Sequence, residues 1–341
     1  MKNLFFAPIS SFYRNNLYNV LNKKSKFSVI YINKKQEKFR SIDFIDNRSK
    51  YKRINYYKFG IIKKILFLNK ILLNKEKKNV FICGWNKIEY WIALIFSGNS
   101  KKIFVCDSFE SKNKVFSLFK KIFLSMVDCV IVPGNLHRNF IKNLNFKKKI
   151  FITKSVGIIK PLSKKKIISK NNKIKIVYIG RISREKNLEL LFKLIKSSSN
   201  LSLSIYGKDE EQLESNLNSS LKNKIEFKGS ILNKKIRVEI KKYDLLILPS
   251  KFEPWGLVIE EAIYNGTPVI SSDKVGCNQD LISNLRVGFV FKNNSLRSLQ
   301  KCIKKFQNLK NLKIINKNLF CLNYNSLKKK HIKIYENIMS K

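Results

Sequence analysis

The chain has 341 residues, and 70 Lys plus Arg set against 23 Asp plus Glu leave a formal net charge of +47. That length exceeds a single small core and predicts two domains of roughly 150 residues each. No run reaches 18 apolar residues, so no membrane-spanning helix is expected, while the basic surface favours anionic partners: nucleic acid, lipid headgroups or phosphorylated substrates.

The opening, MKNLFFAPISSFYR, carries an apolar run too short for a signal peptide, and the expectation is a cytoplasmic protein, at most peripheral to a membrane. Six cysteines are scattered without a CxxC pair, which favours buried free thiols in a reducing compartment. Strand-like runs follow in order: NLFFA (3–7), FSVIYI (27–32), NVFIC (79–83), KIFVC (102–106), CVIV (129–132) and KIFIT (149–153), with helical patterns between several of them. Such alternation predicts a doubly wound α/β domain over 1–158, whose ligands bind beyond the carboxyl ends of the strands.

Two helical segments of this half, 61–73 and 115–126, are both apolar and basic. Each is open to two readings: an amphipathic helix lying in an anionic membrane surface, or a helix packing its apolar face on the sheet. Asp107 ends the KIFVC strand and is placed to cap a following helix at 108–114. His137, after the strand CVIV, either faces a ligand or is simply exposed.

A polar, basic stretch at 159–173 reads as the inter-domain linker. A second alternating domain is then expected over 174–322, with strands IKIVYIG (174–180), LSLSIYG (201–207), KIEFKG (224–229), DLLILP, TPVIS and VGFVF (287–291). Gly180, Gly207 and Gly229 each close a strand, which permits tight turns toward a ligand. Arg181, Arg184 and Lys186 precede a helix whose apolar face is Leu188, Leu191, Phe192 and Ile195. Cations there oppose the helix dipole unless an anion sits among them, and a diphosphate would remove that cost.

The stretch 244–270, DLLILPSKFEPWGLVIEEAIYNGTPVI, is a buried-type strand ended by Pro249, a loop, and a helix running from Leu257 to just before Gly266. A helix N-terminus offers unpaired N–H groups and partial positive charge to a phosphate, and Gly256 lets a ligand approach the backbone. Glu253 and Glu261, eight positions apart, are spaced to bracket a ligand with a phosphate between two polyhydroxylated groups, the layout of a nucleotide sugar. The plain alternative is a surface strand–helix joint with two solvated glutamates.

FEPWGLVIEEAIYNGTPVI resembles the Glu-x7-Glu signature of the retaining, nucleotide-sugar-dependent glycosyltransferases of family 4 (group 1), which have the GT-B fold, and GRISREKN resembles their Gly-Arg…Lys element. The resemblance implies two Rossmann-like doubly wound domains facing across a cleft, with a terminal helix, 326–341, packing back on the first. It implies that Glu253 contacts the donor sugar, Glu261 the ribose hydroxyls, and Arg181 and Lys186 the diphosphate, aided by N–H groups around Gly256 and Leu257. Asp107 becomes a candidate for orienting the acceptor hydroxyl. FFAPISSFYRNNLYNVL resembles the acceptor-side opening of these enzymes, with Ser10 and Ser11 in place of the Gly-rich turn, and the His-Asp pair of many members is missing.

The implied reaction moves a sugar from a nucleoside diphosphate to a glycan or lipid-linked acceptor, with retention, in surface polysaccharide, lipopolysaccharide or lipid-linked glycan synthesis. No cofactor is expected besides the nucleotide-sugar co-substrate. The chain has no Asp-x-Asp, the carboxylate cluster by which metal-dependent transferases hold a hard cation, so no metal is expected. Absence of GxGxxG, P-loop, HExxH and GxSxG removes support for dehydrogenase, ATPase, zinc protease and serine hydrolase readings. Two other classes stay open: a non-catalytic transferase-like partner subunit, and a basic nucleic-acid-binding protein, although no recognisable nucleic-acid module is present.

Overall fold

The computed structural model describes residues 3–33, 43–44, 49–72, 78–109, 114–162 and 173–340. Two compact units emerge, one made of Met1–Gln36, Ile45–Ile158 and Ser326–Lys341, the other of Glu37–Phe44 and Ile159–Asn325. Of the expected linker, residues 163–172 lie outside the described residues.

The first unit is built on seven parallel strands: β1 (Asn3–Ala7), β2 (Ser28–Tyr31), β3 (Lys52–Asn55), β4 (Asn79–Ile82), β5 (Lys101–Val105), β6 (Cys129–Val132) and β7 (Lys149–Ile152), in the order β3-β2-β1-β4-β5-β6-β7. Continuous apolar runs form β1, β2, β4 and β6 because both faces of this sheet are covered, and every residue of those four strands is buried. Strand β3, sequence KRIN, is not recognisable as a strand from its residues. It is an edge strand, partly exposed, so its pairing with β2 demands no apolar side chains.

One face of the sheet buries Phe6, Ile30, Val80, Ile82 and Phe104 under the helices Ile61–Leu72, Ile88–Ile95, Lys114–Ser125 and Asn135–Asn143. The other buries Phe5, Val29, Phe81 and Ile103 under the helices Phe12–Leu21 and Tyr324–Met339. The last helix joins this core through Tyr335, whose ring centroid lies 6.4 Å from Phe5 and 6.0 Å from Phe81, and through the Lys24–Glu336 ion pair at 3.0 Å. His137 is fully buried beside Phe109, ring centroids 5.3 Å apart, which corrects the expectation of an exposed histidine. Five of the six cysteines are buried free thiols and Cys321 is exposed.

The second unit has six parallel strands: β8 (Ile174–Ile179), β9 (Leu201–Tyr206), β10 (Ile225–Phe227), β11 (Leu245–Leu248), β12 (Val269–Ser272) and β13 (Gly288–Phe291), in the order β10-β9-β8-β11-β12-β13. The turn after β9 passes so close to the turn after β8 that a Cβ at Gly207 would stand 1.9 Å from the Gly180 carbonyl oxygen. Only glycine fits there.

In both sheets the winding direction reverses once, between β1 and β4 and between β8 and β11. A crevice opens at such a reversal because the two connections leave in opposite directions, and ligands of open parallel sheets bind there, beyond the carboxyl ends of the strands.

Candidate active site

In the second unit the reversal is flanked by the loop after β8, which holds Arg181 and Lys186, and the loop after β11, which holds Glu253 and Gly256. Arg184–Lys186 forms a single tight helical turn, and Asn187 then adopts a left-handed backbone (φ 56°) before the helix Leu188–Lys196 begins. The left-handed residue turns the chain sharply between the two helical segments. The loops are tied to each other by Lys251 N–H donating to the Glu185 carbonyl at 2.8 Å.

The structure brings Lys186 and Glu253 into direct contact: the ammonium donates to Glu253 Oε2 in an ion pair whose side chains are only 12% and 20% exposed. Glu253 is held in place by its backbone, its N–H donating to the Lys274 carbonyl (3.0 Å) and its carbonyl accepting from Gly276 N–H (3.0 Å). Arg181 is exposed, and its carbonyl accepts the Tyr178 hydroxyl at 2.6 Å. Burial holds that hydroxyl well above the usual phenol range; Glu253 adds to the rise and Arg181 opposes it, so both charges lie within electrostatic reach of Tyr178. Among the described residues Arg181 makes no ion pair, and Glu210 is a further charge that raises the Tyr178 hydroxyl.

Gly256 has a left-handed backbone (φ 92°) and precedes the helix Leu257–Tyr264, whose first N–H groups no side chain caps. A Cβ at position 256 would meet Val275 at 2.9 Å, so glycine is required by conformation and by space together. The helix ends at Gly266 with φ 87°.

Glu261 lies in the second turn of this helix, nearly buried. Burial pushes its carboxyl up to about 8, with further upward contributions from Glu260 and Asp43. It makes no contact with Lys186, so the two glutamates of the signature have different surroundings: Glu253 faces a cation, while Glu261 sits among apolar groups and other acids. Glu260, which sequence reasoning passed over, is fully buried and accepts the Trp255 indole N–H at 3.0 Å, anchoring the loop to the helix. The signal was available: Trp255 and Glu260, five apart across a strand–helix turn, are an indole donor and a carboxylate acceptor. Tyr178 was missed because a tyrosine inside a buried strand reads as core.

Asp107 belongs to the first unit, just beyond β5, and its Oδ2 accepts from the Arg14 guanidinium at 3.0 Å. Arg14 is 10% exposed at its side chain and lies in the first helical turn after β1, close to that sheet's own reversal. Of the helix expected at 108–114, residues 108 and 109 are not helical and 110–113 lie outside the described residues; the helix Lys114–Ser125 is the one expected at 115–126. Ser11 precedes the Phe12–Leu21 helix without capping it. A cavity of about 480 Å³ lies elsewhere in the second unit, lined by Lys175, Ser202, Ser204, Lys222 and Tyr243 among others, and shares no residue with the site. Among the described residues no three His, Cys, Asp or Glu side chains are grouped to hold a metal ion.

Residues 159–318 match the model of the family described as glycosyl transferases group 1. The chain is 25% identical over 267 residues to a 41.2 kDa protein of the cps region of Klebsiella pneumoniae, covering 75% of this chain and 66% of that one. It is 24% identical over 291 residues to the poly(glycerol-phosphate) alpha-glucosyltransferase of Bacillus subtilis, covering 70% and 43%. The alignments thus span less than two thirds of each relative's own length. Over 100% of both chains the fold superposes on the Anabaena protein HepE, crystallised with UDP-glucose, with a TM-score of 0.70 at 14% identity. Residues 159–318 are thus similar to the group 1 glycosyltransferases, and the chain has the GT-B fold of two parallel-sheet, Rossmann-like domains.

Proposed function

We propose that the protein is a retaining glycosyltransferase that moves a sugar from a nucleoside-diphosphate sugar to an acceptor hydroxyl in surface-polysaccharide, lipopolysaccharide or lipid-linked glycan synthesis. The observation that carries the reading is the cluster at the β8/β11 reversal: a shielded Lys186–Glu253 pair, a second cation at Arg181 and an uncapped helix start at Leu257. Cations aimed at a leaving diphosphate stabilise the charge that develops as the glycosidic bond breaks.

Before the donor binds, Glu253 neutralises Lys186 and holds its ammonium in place. An arriving diphosphate takes over as the partner of Lys186 and Arg181. The freed Glu253 carboxylate then stands next to the sugar, where positive charge accumulates on the anomeric carbon. Glu261 receives the ribose hydroxyls, and the N–H groups at Leu257 and beyond add partial positive charge at the phosphates. With two cations and a helix start supplying that neutralisation, the reaction proceeds without a metal and with no cofactor beyond the nucleotide sugar.

UDP-glucose is the first donor to test, because the Anabaena neighbour holds it and the Bacillus relative is an alpha-glucosyltransferase. The test is a thermal-shift screen over nucleotide sugars, followed by NMR of the product's anomeric proton. A stabilising donor and a product of unchanged anomeric configuration are expected; inverted product or no donor binding would overturn the reading.

A further inference from the structure

The helices Ile61–Leu72, Ile88–Ile95 and Lys114–Ser125 share one face of the first sheet, and each hides part of its apolar surface in the core through Leu68, Leu94 and Phe123. They are mutual neighbours: the Trp91 and Phe123 rings touch at 5.1 Å, and Tyr56, beneath Lys64 of the first helix, is within electrostatic reach of Glu89 on the second. Among the described residues, the core leaves many of their large apolar side chains uncovered. On the first helix Ile61 and Ile62 are 78% and 76% exposed, with Ile65 and Leu66 beside them. The second exposes Ile88, Ile95 and the adjoining Phe96, and the third Phe116, Leu118, Phe119 and Ile122. Large apolar side chains are scattered singly over ordinary surfaces; grouped on neighbouring helices, they mark a surface that is covered in use.

We infer that these three helices dock on an anionic lipid bilayer. Charge selects this occupant. Lys58, Lys63, Lys64, Lys70, Lys120 and Lys121 lie on or beside the exposed apolar groups, and Glu89 is the only acid in the three helices. The Lys63 and Lys120 ammonium groups sit over the Phe59 and Trp85 rings, each 4.9 Å from the centroid, so two cations rest against aromatic faces beside the exposed apolar groups. A second copy of the chain would oppose lysine to lysine across such a face. Anionic headgroups complement the lysines while the isoleucine, leucine and phenylalanine side chains enter the acyl boundary. No helix among the described residues is long and apolar enough to cross a membrane, so the mode is lateral docking. The inference stands on the first unit alone and does not depend on the sugar-transfer reading.

The test is co-sedimentation of the full chain with vesicles of phosphatidylglycerol and phosphatidylcholine, and with phosphatidylcholine alone, at low salt. Partition to the anionic vesicles is expected, weakening as salt screens the lysines. Replacing Ile62, Leu66, Phe116 and Phe119 together by Ser should weaken it by at least ~100-fold, given the apolar area withdrawn from the bilayer. Because those side chains are exposed, the circular-dichroism melting curve should not move. The pair Lys63→Gln and Lys121→Gln should cost roughly thirtyfold. No partition at low salt, equal partition to phosphatidylcholine alone, or self-association in sedimentation velocity that the Ser variant abolishes would each overturn the inference.

Discussion

The carboxyl ends of the two sheets each hold a shielded cation paired with an acid, and the pairs are not alike. In the second unit Lys186 and Glu253 are both well shielded, and Arg181 stands nearby with no ion pair among the described residues, so one cation is left for an incoming anion to meet. In the first unit the nearly buried Arg14 meets a single carboxylate, Asp107, that is 49% exposed. That pair is electrically closed and presents a solvent-facing acceptor oxygen, which suits a neutral hydroxyl better than a phosphate. On the reading proposed above, the same device serves the donor in one unit and the acceptor in the other.

The comparison breaks most visibly at Lys186. Lys186→Ala leaves Glu253 in place but removes charge from the departing diphosphate, and kcat should fall about 10²–10³-fold, the usual range for one preorganised stabilising group. Unchanged kcat would mean that the two ends do not differ in the way described.

A smaller effect is expected at Glu261. Its carboxyl is raised to about 8, so near pH 7 it holds a proton. If the ionised form receives the ribose hydroxyls, donor affinity should rise as pH passes through that value, from about 7 to about 9, and then level off. Glu261→Gln should flatten that profile and weaken donor binding about tenfold at pH 8.5, measured by calorimetry. Stability runs the other way. The folded protein keeps this proton at pH values where the unfolded chain has lost it, so the stability present below the unfolded pKa is lost as pH rises through the folded one. The denaturant midpoint should therefore fall between pH 5 and 8 in the native protein, and less in the Gln variant.

At the first sheet, Asp107→Asn should raise the acceptor KM about tenfold, the scale of one charge-assisted hydrogen bond, with the donor Kd unchanged. A change in donor Kd instead would erase the division of labour. The smallest effect is expected from excess EDTA, which should leave transfer intact because the cationic side chains replace a metal; complete loss of activity would sharpen the comparison into a disagreement.

Much of this was readable before the fold was known. Strands such as NLFFA and LLIL announce themselves because a doubly covered parallel strand must be apolar throughout. Strand β3 did not, since an edge strand is specified by its neighbour's open hydrogen-bonding groups more than by its own residues. The spacing Glu-x7-Glu and the Arg181–Lys186 element could be read because strand, turn and helix follow one another within a few residues. The Arg14–Asp107 pair could not, for its members lie 93 residues apart and meet only where β1 and β5 end on the same side of the sheet.

The two basic helices show the same limit. Their periodicity allowed either a core face or a membrane face, and in the folded chain each helix has a buried apolar side and an exposed one: Leu68 and Phe123 are buried, Ile62 and Phe119 exposed. Sequence by itself determined which elements form and which chemical groups sit at their ends, because propensity, capping and burial period are local properties. Which groups meet, which carboxylate is stripped of water and which apolar side chains find no partner was decided by tertiary structure alone, since desolvation and charge pairing depend on residues that the chain order keeps far apart.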